Sequence, residues 1–195
     1  MTGVVTGDVP RVVLASGGTL ETALLPGRLL ALRQDYALSL GCALTRGATD
    51  LVSRLALSAI TGRPVYQDHR QLDERGLPLH LTWRQAEALV VHPASARLIA
   101  ECALGSVTDA VTRLVAFTPK DRIAIAPAVH PDMDPRPYRK HLNELRDLGC
   151  TILGGEDLHA PWSEVEAWLV SRLALVRQRT MPGVTRLDHL ARRSP

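Results

Sequence analysis

Aromatic side chains are scarce in this chain of 195 residues: one Phe, three Tyr and three Trp, or 4%. A nucleic-acid-binding protein normally shows a basic face interleaved with aromatics. Here 23 Lys and Arg are nearly balanced by 20 Asp and Glu mixed along the chain, leaving a formal charge of +3. Part of that excess sits at the end, in Arg186, Arg192 and Arg193. No nucleic-acid partner is expected. Cysteine is also sparse: Cys42, Cys102 and Cys150 are odd in number, widely spaced and without a CxxC pair. That excludes a disulfide framework and a zinc knuckle, and suits a reducing cytoplasm. Long apolar runs are missing too. None approaches the roughly 20 residues of a membrane span, and the first ten residues lack the apolar core of a signal peptide. A cytoplasmic protein without a membrane partner is expected.

What the chain has is a 46% hydrophobic and 22% charged composition, typical of a folded domain. At this length roughly 70% of the unfolded chain's surface can be buried. Short apolar runs at 11–15, 37–44, 88–91, 123–126 and 151–153 alternate with stretches of helical period at 24–34, 50–60, 94–104, 107–116, 135–148 and 163–178. Ser163 is read as the N-cap of the last helix, with Glu166 completing a capping box. Continuous apolar strands separated by helices mean parallel strands buried on both faces, hence a three-layer α/β/α sandwich. Residues 1–180 are read as one domain. Residues 181–195, with Pro, Gly and several Arg, are expected to form a mobile basic tail.

Ligands of such sheets bind where loops leave the carboxyl ends of the strands. The run Ser16-Gly17-Gly18-Thr19 follows a strand and precedes a helix, where backbone N–H groups can meet a phosphate. A tight turn without ligand reads equally well. Thr45, after the second strand, could add a hydroxyl there or act as a helix cap. His92-Pro93-Ala94-Ser95-Ala96 places small residues before a helix, leaving room for a flat ring, and Pro127-Ala128-Val129-His130-Pro131-Asp132-Met133 repeats that pattern one strand later. The two loops could frame one planar cofactor.

These residues carry a resemblance to the homo-oligomeric flavin-containing cysteine decarboxylases, the peptidyl-cysteine and phosphopantothenoylcysteine enzymes. The likeness spans roughly residues 11 to 155. It includes the opening Ser-Gly loop, Thr45 and Ala48 with Leu51 in the usual Phe position, and Leu57-Ser58-Ala59-Ile60-Thr61-Gly62-Arg63-Pro64-Val65. His80-Leu81 follows, then Trp83. The family's Pro-Ala-Ser-Ala-Asn-Thr appears as Pro93-Ala94-Ser95-Ala96-Arg97-Leu98, and its Pro-x-Met-Asn-x-x-Met-Trp as Pro127 to Asp134. The resemblance implies a Rossmann-like, flavodoxin-like fold, bound FMN, and a trimer, or a dodecamer of trimers, with flavin between subunits. It also implies oxidation of a cysteine side chain followed by loss of carbon dioxide. By position, Ser16, Gly17, Gly18 and Thr45 would hold the FMN phosphate, and Pro93, Ala94, Ser95 and Ala96 would line the flavin ring. His80 would be the base, taking the proton of a thiol whose free pKa is about 8.5. Val129 and Met133 would line the substrate pocket.

The departures matter. His130 stands for the family's Asn: it could donate to the substrate carboxylate, or be a polar loop residue. Asp134 replaces the Trp and Arg97 an Asn, the latter free to pair with a phosphate, a carboxylate or nothing. His92 and the cysteines read as structural. The stretch from Gly154 to Trp162 contains no Cys, whereas the coenzyme A enzymes reduce their intermediate with one there. This favours the peptidyl branch, in which the C-terminal Cys of a ribosomally made precursor peptide becomes an aminoenethiol and the 154–162 stretch is a flexible clamp. The alternatives are phosphopantothenoylcysteine decarboxylation and a non-catalytic flavin-binding regulatory subunit.

Overall fold

Strand alternation builds the core. In the computed structural model, which describes residues 9–178, β1 (Arg11–Ser16) sends Val13 and Ala15 to one face and Val12 and Leu14 to the other. The same division holds in β3 (Ala88–Ala94) and β4 (Ile123–Pro127), where Leu89, Val91, Ile123 and Ile125 oppose Ala88, Val90, Ala124 and Ala126. With β2 (Ser39–Leu44) and β5 (Thr151–Ile152) these strands form a parallel sheet in the order β2-β1-β3-β4-β5. That is the flavodoxin-like order, with its switch of direction between β1 and β3.

Helices cover both faces. On one side lie α1 (Leu25–Asp35), α3 (Arg54–Thr61) and α8 (Trp162–Leu173), contributing Leu25, Leu29, Leu57 and Leu169. On the other lie α4 (Leu79–Trp83), α5 (Ala96–Ala103), α6 (Ala110–Phe117) and α7 (Arg136–Asp147), contributing Trp83, Leu98, Leu114 and Leu145. A one-turn helix, α2 (Arg46–Thr49), follows β2. The expected three-layer α/β/α sandwich is therefore present. The stretch read as a basic tail, 181–195, lies outside the described residues.

Several helix starts differ from expectation: the helices expected at 94–104 and 107–116 begin at Ala96 and Ala110, capped by Ser95 and Asp109. The helix expected at 50–60 begins at Arg54, because the Ser53 hydroxyl accepts from Ala56 N–H and caps it there. Ser163 is not an N-cap either. Extended Pro161 precedes the first helical residue, Trp162, and makes no side-chain cap. Glu166 accepts instead from the Tyr36 hydroxyl at 2.8 Å. The Pro161 carbonyl accepts from Glu164 N–H at 3.0 Å, so the third N–H of the helix is met without a hydroxyl cap.

Candidate active site at the carboxyl edge of the sheet

Three strand ends meet around the first loop. Gly17 N–H donates to the Pro93 carbonyl at 2.9 Å, tying the end of β1 to the end of β3. Thr45 N–H donates to the Ser16 carbonyl at 3.0 Å, tying in the end of β2. Ala128 N–H donates to the Ala94 carbonyl at 2.9 Å and adds the loop after β4. Side chains are excluded from the seam: a Cβ on Gly17 would lie 2.9 Å from the Pro93 carbonyl oxygen, and one on Gly18 2.9 Å from the Gly47 carbonyl carbon. Ser16, Gly17, Gly18, Thr45, Pro93, Ala94, Ser95 and Ala96, far apart in sequence, are thus one cluster.

The hydroxyls divide unequally. Ser16 is fully buried and its Oγ lies 3.2 Å from Thr22 Oγ1 and 3.3 Å from its acceptor, the Gly17 carbonyl. In this structure its side chain is engaged with Thr22, six residues on, and with the Gly17 carbonyl. Thr45 and Ser95 cap α2 and α5, accepting from Ala48 N–H and Leu98 N–H at 3.3 Å. Each cap leaves the first N–H groups of its helix open. Thr19 Oγ1 is buried without a hydrogen-bond partner in the described structure. An edge lined with N–H groups, a spare hydroxyl and no Cβ is suited to an anion.

Beneath this edge lies a charged cluster that sequence reading passed over. His92, fully buried, is joined to Pro93 by a cis peptide bond. Its Nε2 accepts from Arg28 at 2.6 Å, since a guanidinium can only donate. The proton then sits on Nδ1, which is buried without a partner. Burial, then the Arg28 charge, push the imidazole down to about 4, against an opposing pull from Glu21. Arg28 stacks over Trp162 and pairs with Glu21 at 3.4 Å, while Glu21 also meets His159. Separations of 64 and 138 residues left no local signal of this cluster.

The 154–162 stretch is pinned rather than free. Val129 N–H donates to Leu158 O at 3.2 Å and Ala160 N–H to Pro127 O at 2.9 Å. Gly154 holds a φ of +84°, and a Cβ there would fall 2.5 Å from the His159 carbonyl. The strap lies along the loop after β4, where Val129 is buried and Met133 half-exposed. On the same loop the His130 side chain is 68% exposed and faces Asp132 at 3.7 Å.

His80 occupies a different setting, between α4 and α6. It is 9% exposed; its ring lies 4.9 Å from Phe117, and Nδ1 is 3.5 Å from the Tyr66 hydroxyl. Burial, reinforced by the positive charges of Arg113 and His69, holds this imidazole below its usual range, and so neutral near pH 7. Among the described residues it makes no hydrogen bond or ring contact with the Gly17–Pro93 cluster. Arg97 pairs with Glu101 at 2.9 Å and Asp109 at 3.3 Å. The three cysteines are buried, and burial pushes Cys42 and Cys102 up to about 12.

Comparison with known proteins now bears on this edge. The family described as Flavoprotein matches residues 6–173. Among solved structures, the FMN-dependent cysteine decarboxylase TvaF from thioviridamide biosynthesis is 23% identical, with TM-score 0.73, over 85% of this chain and 98% of that one. HAL3 from Cryptococcus neoformans is 24% identical, with TM-score 0.70, over 85% and 97%. A PPC decarboxylase mutant complexed with pantothenoylaminoethenethiol is 22% identical, with TM-score 0.65, over 75% and 82%. Likenesses at these identities speak for the shared fold. No curated protein sequence matches.

Proposed function

This chain belongs to the flavoprotein family, and on that footing we propose that it binds FMN and oxidatively decarboxylates a cysteine at the C-terminus of a peptide, leaving an aminoenethiol. The observation that carries the reading is the N–H-lined edge where β1, β2 and β3 end, on a polypeptide that also carries a buried, neutral imidazole at His80. The residues present fit the cofactor. Thr19 Oγ1 lacks a partner, and Gly17 and Gly18 sit where a Cβ would close the edge. The backbone of Gly17 and Gly18, with the hydroxyls of Thr19 and Thr45, would hold the phosphate. Pro93, Ala94, Ser95 and Ala96 would flank the ring.

FMN supplies a two-electron acceptor when bound. The protein's share is to position the cysteine, exclude water and take the thiol proton on His80, whose depressed pKa keeps it in the base form. Val129 and Met133 would line the path of the peptide, with the pinned 154–162 strap above it. Because His80 makes no hydrogen bond or ring contact with the Pro93 loop among the described residues of one chain, we assign the complete site to a homo-oligomer of trimeric type, with His80 of one copy facing the ring held by another. The choice of a peptide over the coenzyme A precursor is supported by the thiols: all three are buried, and none lies in the 154–162 strap to reduce an oxidised product.

The test is direct. Purified protein should be yellow, and a peptide ending in Cys should lose the mass of carbon dioxide plus two hydrogens in air. Loss of carbon dioxide alone would move the protein to the coenzyme A branch. Yellow protein inert toward every cysteine substrate would make it a regulatory flavin binder.

A further inference from the structure

Beside His80 stands a cation with no ion-pair partner among the described residues. Arg113 and Phe117 are four residues apart on α6, hence on one face of the helix. Phe117 is in ring contact with His80, so that face looks onto the imidazole. Among the described residues the Nε of Arg113 is buried without a hydrogen-bond partner, and the one bond its guanidinium makes there is from Nη2 to the Val107 carbonyl at 3.0 Å. No carboxylate among the described residues forms an ion pair with it, although Asp109 lies one turn earlier on its own helix and pairs with Arg97. A half-buried guanidinium with an unmet donor is costly unless something arrives to fill it.

We propose that Arg113 is the receptor for the carboxylate of the substrate's terminal cysteine, placing its thiol against His80. The inference deepens the decarboxylase reading and rests on it for the identity of the substrate. A C-terminal carboxylate, with a pKa near 3.5, is fully ionised at neutral pH, whereas a free thiol is mostly protonated. A planar fork of donors matches a carboxylate in shape as well as charge. The carboxylate is still intact when the thiol proton leaves, so the pair is common to the ground state and to that step. Its loss should therefore raise KM more than it lowers kcat.

The experiment uses FMN-loaded protein and a substrate mimic without a thiol, N-acetyl-L-serine, as free acid and as amide, with binding followed through the NMR signals of the His80 ring. Wild type should bind the free acid at least tenfold more tightly than the amide. Arg113→Gln should bring the two within twofold, and Arg113→Lys should restore part of the gap. With a cysteine peptide that turns over, KM for Arg113→Gln should rise tenfold or more with a smaller change in kcat. Equal binding of acid and amide by wild type, no binding of the acid, or a preference that survives Arg113→Gln would each overturn the assignment. Should the acid preference depend on Arg113 while no cysteine substrate is decarboxylated, the anion site stands and the proposed reaction falls.

Discussion

The amide of Gly17 and the carbonyl of Pro93, 2.9 Å apart, join the first and third strands of the sheet at the edge where a ligand would sit. The two atoms nearest a Cβ at Gly17, Pro93 O and Ser95 N, are backbone, so the main chain itself would have to yield.

Substitution there has a definite outcome. Gly17→Ala brings a methyl to 2.9 Å from the Pro93 oxygen and 3.1 Å from Ser95 N. Overpacking of this kind costs about 1–3 kcal/mol. The variant should melt several degrees lower and be purified with little or no yellow colour. Gly27, in α1, has nothing within 4 Å of such a methyl. Gly27→Ala should keep its colour and gain up to about 1 kcal/mol from helix propensity.

Acid should weaken the fold through His92. Its pKa is about 4 in the folded protein, against an ordinary 6.5. Above pH 6.5 both folded and unfolded forms are neutral there. Between 6.5 and about 4 only the unfolded chain takes the proton, so stability falls as pH falls, by at most roughly 3 kcal/mol. His92→Gln removes the titration and should flatten that dependence in urea denaturation at pH 4.5 and 7. An equally steep loss in the variant would assign it to another group.

His80 should set the acid limb of turnover. Its base form exists above its own pKa, and that pKa is depressed by burial and by the charges of Arg113 and His69. The limb of kcat/KM should therefore lie below 6.5, and Arg113→Gln should move it upward. His80→Asn should abolish product formation while the flavin stays bound, as seen in the visible spectrum. Normal turnover by this variant would remove the imidazole from the mechanism.

The thiols should be silent. Cys42 and Cys102 are pushed up to about 12 and Cys150 is also raised by burial, so thiolate, the reactive form, is rare. A thiol reagent should label none of the three in native protein within an hour and all three after unfolding. Rapid native labelling coupled to turnover would instead indicate a redox role for one of them.

Period and composition were enough to reveal the parallel sheet, its two helical layers and the loops at its carboxyl edge, because burial on both faces imposes continuous apolar strands on any such chain. The Ser-Gly loop and the two proline-led loops could be read for the same reason: helix starts and tight turns are written by nearby residues. Ser163 misled because the proline two positions before it already served the helix end. What local order could not encode was which side chains would meet. Arg28, His92, Glu21 and His159 come from separate helices, a strand and a loop and converge only in the packed fold, and Arg113 reaches the His80 pocket through the packing of α6 on α4. Pairings of that kind follow from distances across the folded core, to which spacing along the chain is blind.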